Sequence, residues 1–350
     1  MPNPKNPANP AGPACGIDDF MLFIRSIENA RLIETRCETL PAPESAPKGV
    51  WYDLLDPTPE ERAFVDAAAG VSIPSRAELE EIEVSSRLYS DEGVEYMTVT
   101  AASRLDSDAP VKTPVLFVLN GTALVTARFI ELRPFVNAIE RMSRPGAAAN
   151  VSAESLMLTL IEAMVDRLAD ALEQVGSAID ESSRSIFRSN GGGDVGKRDR
   201  DLQATIEKVG RQGDSLGIIR ESLVGFNRLV GYHHGMGHIA RGSVDTDARI
   251  RTIQRDVASL SDHATYLNSK VQFLLDATLG LINLEQNQII KIFSIAAVCL
   301  MPPTLVASVY GMNFKHIPEL DYEFGYPMAL GLMLITGLAP VWYFRRKGWL

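Results

Sequence analysis

The sequence predicts an α+β chain built as an α/β domain, then long helices forming a stalk, then two C-terminal transmembrane helices. Three observations lead there. Runs rich in β-branched and aromatic residues crowd the stretch before Pro145-Gly146, after which the apolar pattern turns helical and stays so. Ile292 to Val309 is a run of 18 residues without a charge, and Phe324 to Phe344 is another of 21. Each is about the length a helix needs to cross hydrocarbon.

Composition narrows the function classes. The 350 residues carry 44 acidic and 34 basic side chains, a net charge of -10, so no basic face is available and no nucleic-acid partner is expected. Residues 1–291 hold 41 of the acids and 30 of the basic groups, an acidic body ahead of the apolar end. Cys15, Cys37 and Cys299 are too few and scattered for a disulfide framework or a zinc cage, which fits a reducing cytosol. The opening MPNPKNPANPAGPACG lacks the basic and apolar regions of a signal peptide. The expectation is neither a purely soluble nor a secreted protein.

Residues 1–16, with five prolines, read as a disordered tail. An α/β domain is expected over 17–150. Its strands are FMLFIRSI (20–27), RLIETRCE (31–38) and VEYMTVTAA (94–102), with PVLFVLN (114–120) joined to ALVTARF (123–129) through a Gly121-Thr122 hairpin. Pro57-Thr58-Pro59-Glu60-Glu61 opens one helix and Ser75 to Arg87 reads as another, packed on a small mixed sheet. The domain has no Gly-rich phosphate loop, nucleophile elbow or paired-histidine metal motif, so no catalytic residue and no enzyme are expected. Antiparallel helices follow over 151–243, from about Ala153 to Arg188 and from about Lys197 to Leu229, separated and ended by glycine clusters.

A third helix begins near Asp245 and meets no strong breaker before Gly311, so 244–310 is a stalk that continues into the first span at about 292. Ile250, Ile253, Val257, Leu260, Ala264, Leu267, Val271 and Leu274 form a heptad seam for packing on other helices. A second seam lies on nearly the opposite side: Asp276, Gly280, Asn283, Asn287, Ile290, Ser294, Ala297, Met301, Thr304 and Ser308. Its members are mostly small or polar, whereas a lipid-facing stripe is Leu, Ile, Phe and Val. Such a stripe faces protein or water, either as a tight helix–helix interface or as the lining of an axis shared by several copies.

A loop over 311–325 separates the first span from a second at 326–344, and Arg345-Arg346-Lys347 opens a basic tail over 345–350. Basic residues gather on the cytoplasmic side, so both termini are expected inside a cell inner membrane, with the loop periplasmic. Glu319 and Asp321 would concentrate cations at its mouth.

Tyr310-Gly311-Met312-Asn313-Phe314, ending the first of two C-terminal spans, resembles the signature of the CorA family of magnesium channels, above all its proteobacterial branch. NQIIKIF before the motif, MPPTLVAS within the span, IPEL after it and the terminal FRRKGWL extend the likeness over roughly 270–350. The resemblance implies a homopentameric funnel whose first spans line a pore, with Mg2+ as both transported and regulatory ion, Co2+ and Ni2+ as further cargo, and no cofactor. It puts the selectivity filter on Gly311, Met312 and Asn313. The second seam then lines the pore through Asp276, Asn283, Asn287, Ile290, Ser294, Met301, Thr304 and Ser308.

Magnesium holds its water tightly, so a ring of neutral Asn313 amides suits the hydrated ion better than a carboxylate ring that would retain it. Met301 and Ile290 would be apolar constrictions gated by dewetting. The resemblance also implies closure by Mg2+ bound between subunits, for which Asp106 and Asp108 of the α/β domain and Asp256 or Asp262 of the stalk are candidates. Of His233, His234 and His238, two stand four apart, a spacing that can bind zinc on a helix, yet they sit among glycines at a helix–helix turn with no acidic third ligand nearby. The alternatives are a zinc transporter of the ZntB type and a membrane-tethered metal sensor or scaffold.

Overall fold

The computed structural model describes residues 21–36, 40, 48–107, 110–148, 151–188, 195–236, 244–313 and 323–349. They fall into two compact units, Met1–Arg188 with Glu207–Gln272, and Ser189–Ile206 with Phe273–Leu350. The expected proline-rich tail lies outside the described residues.

The first unit contains a mixed seven-stranded sheet: β1 (Leu22–Glu28), β2 (Arg31–Arg36), β3 (Trp51–Leu55), β4 (Leu88–Asp91), β5 (Val94–Ser103), β6 (Val111–Leu119) and β7 (Leu124–Arg128). The order is β2-β1-β3-β7-β6-β5-β4, with β3 and β7 parallel and the other neighbours antiparallel. The sheet is larger than expected, because the sequence reading has no counterpart of β3 or β4. The β6–β7 hairpin turns at Gly121, whose φ of 82° is open to glycine at no steric cost.

α1 (Pro59–Ala69) begins at a capping box in which Thr58 accepts from the Glu61 N–H and Glu61 accepts from the Thr58 N–H. The single helix expected over Ser75 to Arg87 is instead two short turns, α2 (Arg76–Leu79) and α3 (Val84–Arg87). Ser75 and Glu78 form a second capping box, but Glu80, Glu81 and Glu83 crowd the next turn and Ile82 is 88% exposed. No apolar face remains to sustain a longer helix.

One face of the sheet packs Leu22, Ile24, Tyr52, Leu54, Leu116, Val118 and Val125 against Phe64 and Val65 of α1. On the other, Trp51 and Phe117 meet Phe135 of α4 (Arg133–Met142) at centroid distances of 6.1 and 6.5 Å. Asp53, fully buried at the sheet centre, accepts from Arg25, Arg128 and Thr126. Burial alone would raise its pKa; Arg128 and then Arg25 outweigh that and hold it low.

Long helices complete the unit: α5 (Ala153–Arg188), α6 (Val195–Gly235) from Glu207 onward and the first part of α7 (Val244–Tyr310). A Cβ on Gly225 of α6 would lie 2.8 Å from Val99 Cγ2 of β5, so glycine there lets the helix touch the sheet. Arg249 ties α7 to α5 through both Glu162 carboxylate oxygens, at 2.9 and 2.8 Å. In the second unit the remainder of α7 packs with α8 (Gly325–Arg346). Gly337 of α8 permits the approach, since a Cβ there would lie 3.3 Å from Pro303 Cγ and 3.5 Å from the Cys299 carbonyl.

Candidate pore-lining seam

Both seams read from the sequence exist on α7, and the chain treats them oppositely. Ile250, Ile253, Val257, Ala264, Leu267, Val271 and Leu274 are buried, with Leu260 half-buried. Every member of the second seam from Asp276 to Ser308 is exposed. The first seam packs on α5 and α6, with Leu267 beside Gly176 and Val271 beside Gly213, and the second is left clear by the position of α8. Cys299 and Pro303 meet Gly337, and Ile295 is buried on the same side. Met301 follows Cys299 by two positions, as Ala297 follows Ile295, which is about 200° around a helix of 3.6 residues per turn. The small and polar seam therefore faces away from α8.

Its chemistry is that of a wet surface. The hydroxyl of Thr304 donates to the Leu300 carbonyl at 2.7 Å and that of Ser308 to the Thr304 carbonyl at 2.8 Å. With both protons used inside the helix, the oxygens keep lone pairs facing outward as acceptors, suited to the waters of a hydrated cation. Ile290 and Met301, 61% and 69% exposed, interrupt the polar stripe as apolar positions. Pro302-Pro303 removes two helix N–H donors without ending α7, which continues to Tyr310.

The motif at the end of α7 is held by backbone. The Gly311 N–H donates to the Ala307 carbonyl at 2.9 Å and the Met312 N–H to Val309 at 3.4 Å. A Cβ on Gly311 would lie 3.0 Å from the Ala307 oxygen, so glycine fits the tight last turn. Asn313 lies past that turn, exposed. Glu319 and Asp321 lie outside the described residues, as does Asp108.

The carboxylates proposed for regulation are scattered within one chain. Asp106 is already paired, with Arg133 at 3.1 Å and with Arg167. Asp256 and Asp262 are exposed on α7. Asp256 does have an acidic neighbour, Asp166 of α5, that sequence spacing on its own helix could not give. Burial, followed by Glu162, Asp170 and Asp256, raises the pKa of Asp166 on α5 above the usual carboxylate range. No group of three or more His, Cys, Asp or Glu side chains able to hold a metal ion occurs among the described residues.

His233 has acidic neighbours that sequence proximity does not show. His233 is buried within α6 and has two acidic partners, Glu95 on Nδ1 at 2.7 Å and Glu154 on Nε2 at 3.1 Å. Burial pulls its pKa down, but the two carboxylates prevail and raise it to about 9. A ring whose two nitrogens both donate is an imidazolium and has no free lone pair for zinc. His238 lies outside the described residues.

α7 and α8 are each long and apolar enough to cross a membrane, and only 6% of either apolar window is buried within the chain. The model of the CorA-like Mg2+ transporter protein family matches residues 47–346. The magnesium transport protein CorA of Escherichia coli is 36% identical over 332 residues, covering 94% of this chain and 100% of that one. Among solved structures, the CorA magnesium transporter of Methanocaldococcus jannaschii superposes with a TM-score of 0.75 at 18% identity, over 95% of this chain and 100% of the other. The cytoplasmic domain of ZntB from Vibrio parahaemolyticus shares the fold more distantly, with a TM-score of 0.52 at 13% identity over 75% of this chain and 98% of that one.

Proposed function

The chain belongs to the CorA-like Mg2+ transporter family, whose members are ion transporters rather than enzymes, and from that premise we propose how it moves its ion. Several copies, five on the family resemblance, gather with the second seam of α7 turned toward a common axis. Hydrated Mg2+ enters through a ring of Asn313 amides, with Gly311 and Met312 completing the filter and Glu319 and Asp321 raising the local ion concentration. It then passes Ser308 and Thr304, whose outward lone pairs accept hydrogen bonds from its waters. Met301 and Ile290 are the narrow apolar stations, closed by dewetting. Ser294, Asn287, Asn283 and Asp276 continue the wet lining toward the cytoplasm.

The observation that carries this reading is the exposure of the small and polar seam on the side of α7 opposite α8. Left alone in a bilayer, such a stripe would set hydroxyls and amides against lipid tails; shared by several copies, it lines water. With both termini cytoplasmic in an inner membrane, the membrane potential drives entry at about 4.6 kcal/mol per 100 mV for two charges. No nucleotide is needed. Cytosolic Mg2+ bound between copies closes the pore, with Asp256, which has Asp166 of α5 as an acidic neighbour, as the stalk carboxylate.

ZntB shares the fold alone, and the family membership makes Mg2+ rather than Zn2+ the cargo. The test is growth of a magnesium-dependent strain expressing the native chain or Asn313→Ala. The native chain restores growth at low magnesium and the variant does not. Equal rescue would take the selectivity role from Asn313.

A further inference from the structure

The end of α8 carries a turn that the transport path proposed above does not include. Gly348 adopts a φ of 72°, the left-handed conformation that terminates helices, and its N–H donates to the Arg345 carbonyl at 3.2 Å. The Trp349 N–H reaches back to the Phe344 carbonyl at 3.0 Å. These two bonds make a Schellman cap, which folds the next apolar side chain onto the last turn. The Trp349 indole accordingly stacks on Phe344 with centroids 5.4 Å apart.

Two ammonium groups converge on that indole. Lys347 Nζ lies 5.8 Å from its centroid, and Lys291 Nζ, arriving from α7, lies 5.9 Å away. The ring attracts each cation, but the cations repel one another, and no carboxylate pairs with either among the described residues. Their depth says what neutralises them. Lys291 immediately precedes the uncharged run that starts at Ile292, and Lys347 follows the one that ends at Phe344. Both groups, with the amphipathic ring between them, therefore occupy the headgroup layer when α7 and α8 span a bilayer. The anions abundant at that depth are phosphate esters of lipids.

We propose that Lys291, Lys347 and the seated Trp349 form a binding site for the phosphate of one anionic phospholipid, which bridges α7 to α8. The phosphate accepts from both ammonium groups, the glycerol rests on the indole and an acyl chain follows the exposed Ile292. Because Lys291 adjoins Ile290, the bound headgroup steadies the end of the pore helix at its apolar station. The inference rests on the reading of α7 and α8 as membrane spans.

Short-chain phosphatidylglycerol, phosphatidylcholine or inorganic phosphate is titrated into the detergent-solubilised full chain while the thermal unfolding midpoint is followed. Phosphatidylglycerol should raise the midpoint, and the other two should not. A Lys291→Gln/Lys347→Gln double variant should bind phosphatidylglycerol about thirtyfold more weakly, the factor for two basic groups at an anionic surface. Gly348→Ala, strained at that φ, should weaken binding with every charge retained. An undiminished response in the double variant overturns the site, and so does inorganic phosphate acting as well as the lipid. Magnesium uptake into phosphatidylcholine vesicles separates the two readings. Intact uptake with no lipid selectivity removes the headgroup site alone, whereas no uptake by the native chain in any vesicle counts against the transport reading.

Discussion

His233 keeps its proton because two carboxylates reach it from different elements, Glu95 on β5 and Glu154 at the start of α5. The interaction ties sheet to helices inside the first unit. With a folded pKa of about 9 against 6.5 unfolded, its stabilisation is complete below about pH 6.5 and is lost as pH rises through 9. His233→Gln should destabilise the chain by about 3–5 kcal/mol, since it strands two carboxylates in the protein interior. The loss should be visible in chemical unfolding at pH 7 and should shrink by pH 10. A variant as stable as the native chain at pH 7 would refute the ion-pair account. None of this was legible in the sequence, where Glu95 and Glu154 stand 138 and 79 residues away and only neighbouring histidines show. Asp53 was hidden for the same reason. Its arginine partners come from β1 and β7, so the WYDLL segment reads as interrupted by a charge rather than as a buried strand.

The long helices and five of the seven strands were legible, whereas β3, β4 and the short α4 were not. Periodicity over many turns is written in neighbouring residues, and the pairing or packing that holds a short element is not. α5 begins and ends at the residues expected, and both seams of α7 survive as a buried and an exposed face. β4, only four residues long, exists because β5 pairs with it, with Tyr89 stacked on Tyr96 at 4.8 Å. The faces of α7 give the prediction at this scale. In a cysteine-free background, Asn287→Cys and Thr304→Cys should react with a membrane-impermeant thiol reagent, and modification should slow magnesium uptake. Val306→Cys, on the side turned toward α8, should react at least about tenfold more slowly, as expected for a position packed away from water. Equal rates at Thr304 and Val306 would leave the exposed seam with no claim to a pore.

For the whole molecule, the proposed closure by cytosolic Mg2+ would make the excess of acids a means of sensing the ion. Carboxylates with too few cations among them repel, and the raised pKa of Asp166, caused by burial and then by Glu162, with Asp170 and Asp256 adding to it against a lowering by Arg141, records that repulsion within one chain. A group whose folded pKa lies above its unfolded value destabilises the fold when ionised, so the strain is present at neutral pH and relieved in acid. A divalent cation recruited to these carboxylates, with others from a neighbouring copy, would relieve it in the same way. Asp166→Asn/Asp256→Asn should therefore raise the magnesium-free unfolding midpoint, by roughly 2 °C for a gain of about 1 kcal/mol. Millimolar Mg2+ should raise the midpoint of the native protein, and that rise should shrink in the variant. Carboxylates with a merely structural role would give the opposite pattern, a lower midpoint with the magnesium increment unchanged. Transport distinguishes the two again, since the variant should keep taking up Mg2+ at internal concentrations that close the native pore, and inhibition at the native concentration would move the sensor elsewhere.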